Sequence, residues 1–169
     1  AAGRELAAEI DRIIFEQFLF ARQLAALRKY AASRGVCIMG DMPIYVALQS
    51  ADVWARPELF KLDRAGNPKV VAGVPPDAFS ATGQCWGNPI YQWRAMAKDG
   101  YAWWIARIAA ALKQADVVRI DHFRGLESAW EIPAGAPDAR TGRWVKVPGR
   151  QLLEQVRKIA PPAEPVYLV

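Results

Sequence analysis

Two aspartates stand at the ends of short apolar runs: Asp41 follows Val36-Cys37-Ile38-Met39-Gly40, and Asp121 follows Val117-Val118-Arg119-Ile120. An aspartate just past a strand serves equally well as a turn former or helix cap, so neither alone marks a site. Their repetition, and Arg119 two residues before Asp121, shifts the reading toward chemistry. Side chains alternate along a strand, so Arg119 and Asp121 face one side and can form a charge-assisted hydrogen bond. The guanidinium would keep the carboxylate ionised. An ionised carboxylate held beside an acetal carbon can act as a nucleophile or stabilise an oxocarbenium ion. His122 is the only histidine. A satisfied structural imidazole is its commoner role in isolation, and its neighbours here make ligand contact equally expected.

Groups so placed need elements that bring strand ends together. Apolar residues recur at helical spacing from Arg4 to Ser33 (Leu6, Ile10, Ile13, Ile14, Phe18, Ala21, Leu24, Ala25), with Gly35 as the stop, predicting one long helix or two abutting ones. Val36–Met39 reads as a strand covered on both faces. The stretch 42–98 is rich in Gly, Pro and Asn, yet Tyr45, Trp54, Phe60, Phe79, Trp86, Tyr91 and Trp93 run through it. Long loops are usually functional or disordered, and these aromatics predict an ordered, ligand-facing excursion. Asp99 can cap a helix whose apolar face is Trp104, Ile105, Ile108 and Leu112. A second strand follows at Val117–Ile120. A hairpin is expected from Ser128–Ile132 and Arg143–Val147, then a helix over Gln151–Ile159 and a third buried strand at Val166–Val169. Strand, helix, strand, helix, strand implies an α/β fold with a parallel sheet, whose reactive groups gather at strand carboxyl ends.

With 169 residues and 53% hydrophobic content the chain can bury a core. The net charge of +5 comes from interspersed residues, which argues against a nucleic-acid partner. Its one acid-free basic stretch (Arg140, Arg143, Lys146, Arg150, around Trp144) reads better as the exposed side of the hairpin than as a nucleic-acid strip. Two cysteines, Cys37 and Cys85, provide neither a disulfide framework nor metal-ligand spacing, so no metal is expected and a reducing cytoplasm fits. Trp103–Leu112 is interrupted by Arg107 and falls far short of the roughly 20 apolar residues that cross a bilayer, so no membrane is implied. Seven tryptophans suit stacking on the flat faces of sugar rings.

Arg119-Ile120-Asp121-His122-Phe123-Arg124-Gly125 resembles the nucleophile motif of the amylomaltases, glycoside hydrolase family 77. Other blocks resemble that family in order: Gly40-Asp41-Met42-Pro43-Ile44-Tyr45-Val46, Val71-Ala72-Gly73-Val74-Pro75-Pro76-Asp77, Gly87-Asn88-Pro89-Ile90-Tyr91, Trp130-Glu131-Ile132-Pro133-Ala134 and Gly142-Arg143-Trp144-Val145-Lys146. The resemblance implies 4-α-glucanotransfer, cleaving an α-1,4 bond with retention and passing the glucan to another sugar's 4-hydroxyl. It implies Asp121 as nucleophile and Arg119 as its orienting partner. It also implies Asp41 near the sugar, and Tyr45, Asp77, Trp86, Asn88 and His122 along donor or acceptor subsites. Trp86, between Gly83 and Gly87, is the expected stacking aromatic, whereas Trp54, Trp93, Trp103, Trp104 and Trp130 are assigned to core packing. The partners implied are maltooligosaccharides, amylose or glycogen, with no cofactor.

The fold implied is a partial (β/α)8 TIM barrel of about three parallel strands with crossover helices. Residues 1–169 would then be a fragment of one catalytic domain, and 42–98 a loop-rich active-site insertion within it. Cys85 and Gln49 depart from the family pattern at positions that bear on acceptor preference. The family's acid/base segment and a third carboxylate with its histidine have no counterpart in these residues. The fragment alone is therefore expected to lack turnover on maltotriose, and to self-associate through exposed barrel edges. Two other readings stand beside this one. The first is an α-glucan hydrolase of the α-amylase clan. The second is a noncatalytic glucan-binding or assembly module completed by another polypeptide.

Overall fold

Helical periodicity at the start of the chain becomes two abutting helices, α1 (Ala2–Glu5) and α2 (Ala7–Ser33), in a computed structural model that describes residues 2–159. Gly35, at φ 69°, closes α2, with the amides of Arg34, Gly35 and Val36 returning to Ala31 and Ala32 carbonyls. That left-handed turn favours glycine. Among the described residues only Ala31 of α2 is buried. The helix is tied down near its end by Arg28, which donates to the Lys113 carbonyl and the Asp116 carboxylate.

The first strand, β1 (Met39–Pro43), begins where the sequence predicts it to end. Val36 and Met39 are 55% and 63% exposed, so the apolar run 36–39 is not the doubly covered strand expected. Partner registry decides the position instead: Asp116 accepts the Ile38 amide, and pairing starts at Met39 opposite Val117. Asp41 consequently lies within the strand.

Residues 42–98 are more regular than an expected loop. They contain α3 (Ala51–Ala55), β2 (Val70–Val74), β3 (Gln84–Pro89) and α4 (Trp93–Ala97). Ser50 caps α3 by accepting the Val53 amide. Trp54, assigned above to the core, is 86% exposed, because α3 buries Val53 instead.

Asp99 accepts the first free amide of α5 (Ala102–Gln114), at Ala102, although Tyr101 holds the cap position in a left-handed conformation. Trp104 and Ile108 are buried on its inner face, and Ile105 and Leu112 pack against the core. The helix delivers the chain into β4 (Val117–Asp121), parallel to β1, with Asp41 opposite Arg119 and Pro43 opposite Asp121.

Beyond it, β5 (Ser128–Pro133) and β6 (Arg143–Lys146) form the expected hairpin. They join β2 and β3 in an antiparallel sheet of order β3-β2-β5-β6. Gly73 of β2 sits at the irregularity in its pairing with β3. Helix α6 (Gly149–Val156) follows. The third strand expected at Val166–Val169 lies outside the described residues.

An aromatic core joins the two sheets. Tyr91 and Trp104 are fully buried, Trp93 nearly so, and their rings lie 5.2 to 6.2 Å apart. Trp103 and Trp130 are half-buried and donate their indole N–H to Asp52 and to the Ala139 carbonyl. Glu131, 4% exposed, is paired with Lys61. Cys37 and Cys85 are free and exposed. No described helix is long and apolar enough to cross a membrane.

Candidate functional site

Registry puts Asp41 and Arg119 directly across from one another on the two parallel strands. Val118 and Ile120 are buried while Asp121 is exposed and Arg119 partly so, so the odd-numbered side chains of β4 share an open face. Arg119 Nε donates to Asp41 Oδ1 at 2.7 Å and Nη2 to Oδ2 at 3.1 Å, a bidentate pair. The same Nη2 donates to Asp121 Oδ1 at 3.2 Å. The Arg119–Asp121 contact expected from strand alternation is present. The tighter partner is Asp41, which sequence spacing could not reveal because 78 residues separate it from Arg119.

Hydrogen bonding to Arg119 holds the Asp41 carboxyl below its ordinary range, and Asp41 in turn raises the guanidinium. Asp41 is therefore unsuited to donate a proton.

His122 turns the chain out of β4 at φ 54°, into a 3-10 turn at Phe123–Leu126. Its ring stands edge-on to Trp86 at 4.8 Å and 90°. Trp86 in turn lies 6.4 Å from Tyr45. Burial pushes the imidazole below its ordinary value, and its Nε2 is buried without a hydrogen-bond partner. The Tyr45 hydroxyl is pushed up by burial. Asn88 donates to the Val46 carbonyl at 3.0 Å, fixing the segment that carries Tyr45.

The structure thus brings together Arg119, Asp121 and Asp41 in one cluster, and Tyr45, Trp86, Asn88 and His122 in an adjoining wall. Asp77 is placed differently. Its Oδ1 accepts the amides of Phe79 and Ser80, both at 2.8 Å, within its own turn.

Gly125 ends the motif 119–125, and sequence reading assigned it no role of its own. A Cβ there would lie 2.6 Å from Ile44 Cδ1, 3.1 Å from His122 Cδ2 and 3.4 Å from the Tyr45 hydroxyl. Its missing side chain lets the 3-10 turn sit beneath His122 and Tyr45. Arg124 lies 3.9 Å over the Trp144 ring and couples that turn to β6. Within the basic stretch, Arg140, Lys146 and Arg150 face Asp138, Glu127 and Glu154, in keeping with a solvated surface. No cluster of His, Cys, Asp and Glu among the described residues could hold a metal.

Two parallel strands that carry an arginine-bridged pair of aspartates, one within β1 and one at the carboxyl end of β4, beside a cluster of aromatic rings, define an α/β protein with a site toward the strand ends. The family model described as 4-alpha-glucanotransferase, glycoside hydrolase family 77, matches residues 1–165, and the chain belongs to that family. It is 53% identical over 158 residues to the 4-alpha-glucanotransferase of Thermus thermophilus, covering 94% of this chain and 32% of that protein. The Aquifex aeolicus 4-alpha-glucanotransferase is 52% identical over 148 residues, covering 88% and 30%. Among solved structures, the Streptococcus agalactiae amylomaltase in complex with acarbose superposes with a TM-score of 0.90 at 40% identity, covering 98% of this chain and 33% of that one. The chain spans about a third of the length of the curated relatives it matches.

Proposed function

We propose that this chain supplies the nucleophile side of a 4-α-glucanotransferase site acting on maltooligosaccharides, amylose or glycogen. One observation carries the reading: Arg119 binds Asp121 through Oδ1 alone, and no hydrogen bond among the described residues engages Oδ2. The guanidinium fixes the carboxylate's orientation, leaving one oxygen free to attack.

In this reading Asp121 Oδ2 attacks the anomeric carbon as the C1–O4 bond breaks, giving a β-glucosyl ester. A proton passes to the leaving O4 from a second carboxyl group about 5 to 5.5 Å away across the bond. Asp41, locked to Arg119, is not that group. The 4-hydroxyl of an acceptor then attacks the anomeric carbon, giving its proton back to that second carboxyl group and displacing Asp121, which restores the α-linkage and the free carboxylate. Trp86 offers aromatic surface to the sugars with buried Tyr45 packed behind it, and the neutral His122 lies beside Asp121. Asp77 holds its own turn through Oδ1, which leaves Oδ2 for a sugar hydroxyl. We read β1, α5 and β4 as part of a (β/α)8 barrel, with residues 42–98 as the insertion bearing the aromatic wall. Free Cys37 and Cys85 fit a reducing cytoplasm. The exposed apolar residues of α2, such as Ile14 and Phe18, are the surface proposed for self-association of the isolated chain.

The test is product analysis with maltotriose, using protein expressed from the complete coding sequence. Glucose and a ladder of longer oligosaccharides are expected, and Asp121→Asn abolishes both. Shorter products alone indicate hydrolysis, and a ladder that persists in Asp121→Asn refutes the assignment. The 169-residue chain by itself is expected to give no turnover.

A further inference from the structure

Arg107 is the single charge in the apolar run Trp103–Leu112, and its surroundings explain why it is there. From α5 the side chain reaches across to the exit of β1. Nη2 donates to the Pro43 carbonyl, and Nη1 donates to the Ile44 carbonyl at 3.1 Å and to the Tyr91 hydroxyl at 3.4 Å. Tyr91 itself donates to the Ile44 carbonyl at 2.5 Å. The guanidinium carbon lies 5.4 and 5.3 Å from the ring centres of Trp103 and Trp104, so the side chain is braced by two indoles while its N–H groups point at backbone.

The two carbonyls occupy a critical place. Pro43 is the residue opposite Asp121 in the parallel register, and Ile44 precedes Tyr45. Asp41 lies two residues upstream, bound to Arg119. A carbonyl at the end of a strand has left the ladder and needs a donor. Here one planar cation satisfies two successive carbonyls, with a fork geometry that a lysine cannot reproduce.

We propose that Arg107 is a positioning residue for the reaction: by clamping the Pro43 and Ile44 carbonyls it sets where Asp41 holds Arg119, and hence where Arg119 holds Asp121. This rests on the glucanotransferase reading given above. The Arg107 N–H groups are engaged by the Pro43 and Ile44 carbonyls and the Tyr91 hydroxyl, so its contribution enters through the alignment of the attacking oxygen. Misplacement of a reacting group by about 1 Å costs on the order of a hundredfold in rate.

The experiment compares wild type, Arg107→Met, Arg107→Lys and Asp121→Asn, each expressed from the complete coding sequence, in maltotriose disproportionation. Circular dichroism fixes the folded fraction. For Arg107→Met, kcat per folded molecule is expected to fall about a hundredfold with KM within about threefold of wild type. Arg107→Lys, which can serve one carbonyl, is expected to recover about tenfold of that loss. Should Arg107→Met fail to fold, Arg107→Lys alone decides the matter, by a tenfold fall in kcat at unchanged KM. Wild-type kcat per folded molecule in the soluble variants, or losses that merely follow the folded fraction, overturns the positioning role while leaving the function intact. A wild type without Asp121-dependent transfer overturns both.

Discussion

Gly73→Ala probes the joint that carries the aromatic wall. Gly73 lies in β2 opposite Cys85 of β3 and Trp130 of β5. A Cβ at this position would fall 2.0 Å from the Gln84 carbonyl oxygen and 2.6 Å from Ile132 Cδ1. Ordinary carbon–oxygen contacts are about 3.3 Å or longer, so β3 must retreat from β2 by more than about 1 Å. That retreat breaks the pairings Gly73–Cys85 and Val74–Gln84, each with a net worth of about 1 kcal/mol. Crowding against fully buried Ile132 adds about 1 kcal/mol. The total is about 3 kcal/mol, which lowers the urea midpoint by roughly 1.5 M at a slope of about 2 kcal/mol per molar. Trp86 and Asn88 lie on the displaced strand, so, on the proposed function, maltotriose binding should weaken as well. Urea unfolding followed by tryptophan fluorescence, with calorimetric titration of maltotriose, measures both. Ile132→Val removes the Cδ1 contact and leaves the carbonyl one, so the double variant should remain destabilised. Full recovery in the double variant, or an unchanged midpoint in Gly73→Ala, refutes the reasoning.

Asp41 should titrate below its ordinary value of 3.8, and Arg119→Met should bring it back toward that value, as read by carboxyl carbon shifts. Because the folded value is depressed, the Asp41–Arg119 pair contributes to stability above pH 3.8 and loses that contribution as pH falls through the folded value. An Asp41 titration unmoved by Arg119→Met contradicts the observed pairing. Burial lowers His122 from its ordinary 6.5, so the unfolded chain binds a proton first as pH drops. The contribution of the neutral ring is complete above pH 6.5 and is lost as pH falls from there through the folded value. His122→Phe should flatten that part of the stability profile, and an unaltered slope counts against a buried neutral imidazole.

Local pattern reached far into this fold. The helices over 7–33 and 102–114, the strand at 117–121 and the hairpin closed by β6 follow from periodicity and turn residues. The Arg119–Asp121 contact follows from alternation along a single strand. Each of these depends on residues close in sequence, where rise and twist per residue fix which side chains are neighbours. The position of β1 did not follow, because Val36-Cys37-Ile38-Met39 is as apolar as a buried strand and only pairing with Val117 and Asp116 sets the register.

The sequence by itself determined a parallel α/β chain, a carboxylate at a strand end and an arginine to hold it. Tertiary structure alone decided that Asp41 takes the better half of that arginine, and that the β2–β3 pair joins the hairpin through β2 and β5. It also placed Trp54 outside and Tyr45 inside, and set Arg107 against the backbone partner of Asp121. Those contacts join residues tens of positions apart. Their distances are set by how whole elements pack and register, which no periodicity within one element encodes.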